Sequence, residues 1–83
     1  MKVSIKYFAS IREAIGVPSE VFDTQAATLA ALRDALIARG DAYAYSLGRG
    51  RAVRMAQNKV MSEETAALVD GAEVAFFPPV TGG

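Results

Sequence analysis

The sequence contains no cysteine and no histidine. Without cysteine there is no disulfide, no thiolate nucleophile and no zinc–thiolate centre. Without histidine the commonest general base and the commonest metal ligand are gone too. A self-sufficient enzyme is therefore not expected, nor is a metal site or a bound cofactor. Charge of one sign is also lacking, since nine Lys and Arg balance nine Asp and Glu for a formal net charge of zero. Binding to nucleic-acid phosphates needs a basic excess, so no nucleic-acid partner is expected. No apolar run approaches the roughly 20 residues of a bilayer span. The amino terminus, Met1-Lys2-Val3-Ser4-Ile5-Lys6, alternates polar and apolar residues, unlike the apolar stretch of a signal peptide. The expectation is a cytoplasmic protein with no membrane partner.

What the chain does have is enough apolar content for one small core. Its 83 residues are 52% hydrophobic, which suits a single domain spanning 1–83 that buries about 60–65% of its unfolded surface. Residues 2–8 alternate, with Val3, Ile5 and Tyr7 on one face and Lys2, Ser4 and Lys6 on the other, as in a half-buried strand. Ser10-Ile11-Arg12-Glu13 has the pattern of a capping box and predicts a short helix, stopped by Gly16 and Pro18. A second strand is predicted over 20–23. Thr28 caps the strongest helix, which carries Leu29, Leu32 and Leu36 in one stripe and runs to about Arg39 before Gly40. Residues 41–51 read as a turn of helix followed by a loop. Strands are predicted over 53–57, at Val60–Met61 and over 73–77, with turns at Asn58-Lys59 and Asp70-Gly71. Residues 63–69 read as irregular or briefly helical. This order predicts an α+β fold of β-grasp (ubiquitin-like) type, a mixed sheet with one main helix packed on one face and a flexible C-terminal tail over 78–83.

Two aromatics fall out of phase. If Val3, Ile5 and Tyr7 face the core, Phe8 points away from it. If Val74 and Phe76 face the core, Phe77 points away from it as well, with Glu73 and Ala75. Exposed aromatics on terminal strands would form a partner patch, which Met61 would join; the plain alternative is that strand ends twist inward and cap the core. Arg49, Arg51, Arg54 and Lys59 are the one local charge concentration, either a solvated face or a surface that steers an acidic partner. Arg12 is either a partner contact or simply the exposed residue of its helix.

The chain closes on Pro78-Pro79-Val80-Thr81-Gly82-Gly83. Proline cannot donate to a sheet ladder and its φ is fixed, so Pro78 and Pro79 end the strand and launch an extended tail. Four further residues span about 13–14 Å, enough to enter a partner's pocket. Glycine pairs at chain ends are often frayed. They also present a carboxylate on the least hindered carbon a protein offers, which a partner can activate.

The run from Asp70 to Gly83, with Phe76-Phe77-Pro78-Pro79-Val80-Thr81-Gly82-Gly83 at its end, closely resembles the small, sulfur-carrying subunits of molybdopterin synthase (the MoaD family). Lys6-Tyr7-Phe8-Ala9, Arg12-Glu13 and Asn58 extend that resemblance along the chain. It implies that an E1-like adenylating partner (MoeB type) uses ATP and magnesium to activate Gly83, which then becomes a thiocarboxylate. It further implies that the tail enters the active site of a large, MoaE-like subunit and gives sulfur to cyclic pyranopterin monophosphate. Two small and two large subunits would form the synthase, with catalytic side chains on the large one. Phe8, Met61 and Phe77 correspond to the family's docking surface, and Arg12 to an arginine that contacts the adenylating enzyme. A leucine is common at the position of Met61. The alternatives are a related carrier serving thiamine or another pathway, and a modifier conjugated to other proteins.

Overall fold

A computed structural model describes residues 1–79. Five strands form one mixed sheet in the order β2-β1-β5-β3-β4. They are β1 (Lys2–Tyr7), β2 (Ser19–Asp23), β3 (Arg54–Gln57), β4 (Val60–Ser62) and β5 (Glu73–Phe77), with helices α1 (Ala9–Ile15), α2 (Leu29–Ile37) and α3 (Asp41–Leu47) between them. β1 and β5 lie side by side and parallel, with Lys6 opposite Ala75 and Tyr7 opposite Phe76. The pairs β1–β2, β5–β3 and β3–β4 are antiparallel.

The alternation read from β1 is realised: Val3, Ile5 and Tyr7 are buried while Lys2, Ser4 and Lys6 are exposed. Val74 and Phe76 join them from β5, and the α2 stripe of Leu29, Leu32 and Leu36 closes the core from above. Tyr7 stacks on Phe76 with ring centroids 6.3 Å apart. Full burial of each of these large side chains contributes about 1.5–3 kcal/mol. Thr28 caps α2 as expected, its Oγ1 accepting from the Ala31 amide at 3.1 Å.

Three details depart from the sequence reading. α1 is not capped by Ser10: its N-cap is Phe8, with extended backbone and no side-chain cap, and Ser10 lies inside the helix. Ala9 takes a left-handed φ of 51°, which turns the chain out of β1 directly into the helix. Residues 41–47 form a full helix where one turn was expected, so three helices share the core side instead of one dominating it. α2 ends at Ile37, two residues earlier than Arg39.

The Asn58–Lys59 turn is a two-residue hairpin loop with positive φ at both positions, 51° and 68°, as a primed turn requires. Asn58 also ties the hairpin to β5. Its amide donates to the Glu73 carbonyl at 2.8 Å, and its Oδ1 accepts from the Glu73 amide at 3.0 Å.

Candidate docking face and tail base

The sheet face turned away from the helices carries the residues that were out of phase. Strand register places them in two rows. One row runs Lys6, Ala75, Ala56, Met61 across β1, β5, β3 and β4. The other begins at Phe8, just past β1, and continues through Phe77 of β5 to Arg54 of β3. Phe8 is held beside β5 because its amide donates to the Phe76 carbonyl at 3.1 Å. Phe8 remains 46% exposed, and Met61 is 56% exposed. Phe77, Ala75 and Ala56 are half-buried. The alternative that the strand ends twist into the core does not hold for Phe8.

Ala75 and Ala56 were not picked out from the sequence. Their small side chains stand in register between the aromatic pair and Met61, so apolar positions link the two. The signal was present in part: Ala75 shares the phase of Phe77, but Ala56 joins it only by pairing with Ala75, and register is invisible without the strand order.

Charges border the patch unevenly. Lys6 is answered within the chain by Glu73 at 3.5 Å. Arg51 is drawn off, its guanidinium lying 4.3 Å above the centre of the Tyr45 ring. Arg49 pairs with Asp34 at 2.8 Å and also with Glu64; these two carboxylates hold its guanidinium above its ordinary pKa. The basic cluster noted in the sequence is therefore split, and most of it serves the fold. Of those three arginines only Arg49 is ion-paired among the described residues; Arg51 is held over Tyr45, and Arg54 has neither an ion pair nor a ring beneath it there.

Pro78 and Pro79 follow Phe77 directly and are half-buried. Pro78 lines a cleft of about 240 Å³ with Ser10, Ile11, Tyr45, Ser46 and Arg51. The tail thus departs from the rim of the aromatic patch. Val80, Thr81, Gly82 and Gly83, to which the reacting carboxylate and most of the inserting tail were assigned, lie outside the described residues. Arg12 is exposed on α1 and lines a separate shallow depression with Glu13, Gly16, Val17 and Pro18. The structure does not bring it into the patch.

On the core side, Glu20 of β2 points inward, opposite Ile5. It accepts hydrogen bonds from the Tyr7 hydroxyl at 2.7 Å, the Tyr43 hydroxyl at 2.8 Å and Arg39 Nη1 at 2.6 Å. Burial alone would raise its pKa, but the three donors outweigh burial and hold it below the ordinary carboxylate value. Burial, reinforced by Glu20, pushes the Tyr7 hydroxyl far upward. The group is a structural clamp joining β1, β2 and α3, and it lies across the sheet from the patch. Among the described residues no set of three or more carboxylates converges on one point, and no helix is long and apolar enough to cross a membrane.

A family model described as the ThiS family matches residues 5–83. The chain belongs to the ThiS family. Within it, the chain is 38% identical over 81 residues to the molybdopterin synthase sulfur carrier subunit of Haemophilus influenzae, covering 98% of this chain and 99% of that protein. It is 37% identical, with the same coverage, to the sulfur carrier subunit of the Escherichia coli synthase. Among solved structures, SAMP1 from Haloferax volcanii matches over the whole of both chains with a TM-score of 0.78 and 26% identity. A chain from the complex of subunits 1 and 2 of the molybdopterin-converting factor of Helicobacter pylori also matches over both full lengths, with a TM-score of 0.69 and 26% identity. The fold of this ThiS-family member is the ubiquitin-like β-grasp that its element order predicted.

Proposed function

We propose that this chain is the sulfur carrier subunit of a molybdopterin synthase, with Gly83 as its reacting residue. The observation that carries this reading is the near-full-length identity to two such subunits. The geometry supports it independently, since an apolar face sits at the base of a tail ending in two glycines.

The chemistry divides between chains. The Gly83 carboxylate attacks the α-phosphorus of ATP, with magnesium, on an adenylating partner; pyrophosphate leaves and an acyl-adenylate forms. Sulfur at the hydrosulfide level attacks the acyl carbon and displaces AMP, leaving the thiocarboxylate directly. The tail, Pro78 to Gly83, then enters a large subunit, and sulfur passes to cyclic pyranopterin monophosphate. This chain provides the carrier atom, the reach and the docking surface of Phe8, Met61 and Phe77. Arg12, set apart from that surface, serves the adenylating partner. Catalytic side chains come from the large subunit, and two of each subunit form the enzyme in the cytoplasm. Stiff prolines at the tail base reduce the entropy lost on insertion.

The test is mass spectrometry of the intact chain after incubation with an adenylating enzyme of this class, ATP, magnesium and a sulfur donor. The expected result is a mass gain of one oxygen-to-sulfur exchange, localised to Gly83. Addition of a large subunit and the pterin precursor should then return the carboxylate and yield molybdopterin. A second reading, conjugation to lysines of other proteins, is favoured by the fold match to SAMP1, a small archaeal modifier protein. Isopeptide-linked adducts in the same incubation, without molybdopterin formation, would establish it instead.

A further inference from the structure

Arg54 is the one charged residue set into the apolar rows that has no answering charge among the described residues. It stands opposite Phe77 on the outer sheet face, and it lines a cleft of about 270 Å³ with Met61, Ser62, Glu63 and Glu64. It therefore ends the aromatic row, next to Phe77 and sharing a cleft with Met61. Glu63 and Glu64 share that cleft but neither makes an ion pair with Arg54 among the described residues, Glu64 being taken by Arg33 and Arg49. Lys6, at the other end, is already neutralised by Glu73.

A protein that covers Phe8, Phe77 and Met61 must also cover Arg54. Guanidinium is always protonated, and an unpaired buried charge is strongly unfavourable. The charge cannot be removed by a shift in protonation, so the covering surface must answer it. We infer that the large subunit presents a carboxylate opposite Arg54, and that this pair sets which large subunit the carrier accepts. Arg54 is then a specificity residue inside the docking surface. This rests on the reading of the chain as a synthase subunit, because the occupant is that synthase's large subunit.

Substituting leucine separates this inference from its opposite. If no carboxylate faces Arg54, R54L enlarges the apolar patch and tightens binding. If one does, R54L leaves the partner's carboxylate buried without a cation, and affinity falls about tenfold or more. R54E should weaken binding further by placing like charges together. Titration of the large subunit with wild type, R54L and R54E, at low and high salt, reads these outcomes. Affinity of the wild type should fall with salt more steeply than that of R54L. Melting curves should coincide for all three, since Arg54 is exposed and has no partner within the described residues. Equal or tighter binding by R54L overturns the inference while leaving the synthase reading intact. Failure of the wild type to bind the large subunit, with a normal melting curve, overturns both. The partner's acidic residue is identified by the charge reversal, Asp or Glu to Arg, that restores binding to R54E.

Discussion

Replacing Phe8 by alanine separates docking from folding. In the free chain Phe8 keeps 46% of its surface exposed, so only about half of its side chain contributes to the fold. Full burial of a phenylalanine is worth about 1.5–3 kcal/mol, and the buried half therefore about 1 kcal/mol. Alanine removes no cap, because Phe8 makes no side-chain hydrogen bond to α1. For a domain of this size such a loss lowers Tm by about 4–8 °C. Binding should suffer more. Phe8 sits at the centre of the aromatic end, beside Phe77, and aromatic anchors at interface centres typically cost 2 kcal/mol or more when truncated. That is a loss of about 30-fold in Kd. Calorimetric titration of the large subunit and thermal denaturation of the same preparation give both quantities. A fall in Tm beyond about 15 °C with affinity kept within about threefold would place Phe8 in the core and refute the docking assignment.

Three further outcomes are expected. Glu20→Gln replaces the anion that accepts from Tyr7, Tyr43 and Arg39, at a cost of about 1.5–3 kcal/mol. Because the folded pKa of Glu20 is lowered, its contribution is present above its ordinary value of 4.5 and is lost as pH falls through the folded value. Acid unfolding followed by circular dichroism should therefore show a shallower dependence below that pH in the variant, while large-subunit affinity at neutral pH is unchanged. Gly48→Ala would set a Cβ 2.5 Å from the backbone oxygen of Ala44, and the forced shift should cost about 1–3 kcal/mol, read as a lower urea midpoint. Deleting Gly83 should abolish thiocarboxylate formation in the mass-spectrometric assay and leave Tm within about 2 °C, since chain ends contribute little to stability.

The parts of the fold that were legible in the sequence are those where local chemistry and tertiary packing agree. Alternation in β1, the Thr28 cap and the Asp70-Gly71 turn are local statements that packing did not overrule. The same holds for Phe8 and Phe77, whose phase could be counted from neighbours already assigned to the core. Ser10 failed as a cap because left-handed Ala9 starts the helix one step after the strand, before the serine is reached. Glu20 was opaque for a different reason. A glutamate near a strand end reads as solvated, and only its register opposite Ile5, beneath two tyrosines and Arg39, shows that it turns inward. Arg33 is a parallel case. It neighbours the leucine stripe of α2, yet it is only 5% exposed, because the carbonyls of Leu47, Gly48 and Arg51 accept its guanidinium protons. Those acceptors lie 14 to 18 residues away, beyond the reach of any helical periodicity.

The position of β5 has a mechanical consequence. The strand that leads into the tail is interior to the sheet, bonded to β1 on one side and to β3 on the other. A pull on the tail along the strand axis loads both ladders in shear, so many hydrogen bonds share the force and none can be peeled off singly. Were the tail attached to an edge strand such as β4, the same pull would unzip it bond by bond. Under the proposed function, in which partners grip and release the tail at every turnover, this placement of β5 protects the domain from being unravelled by them.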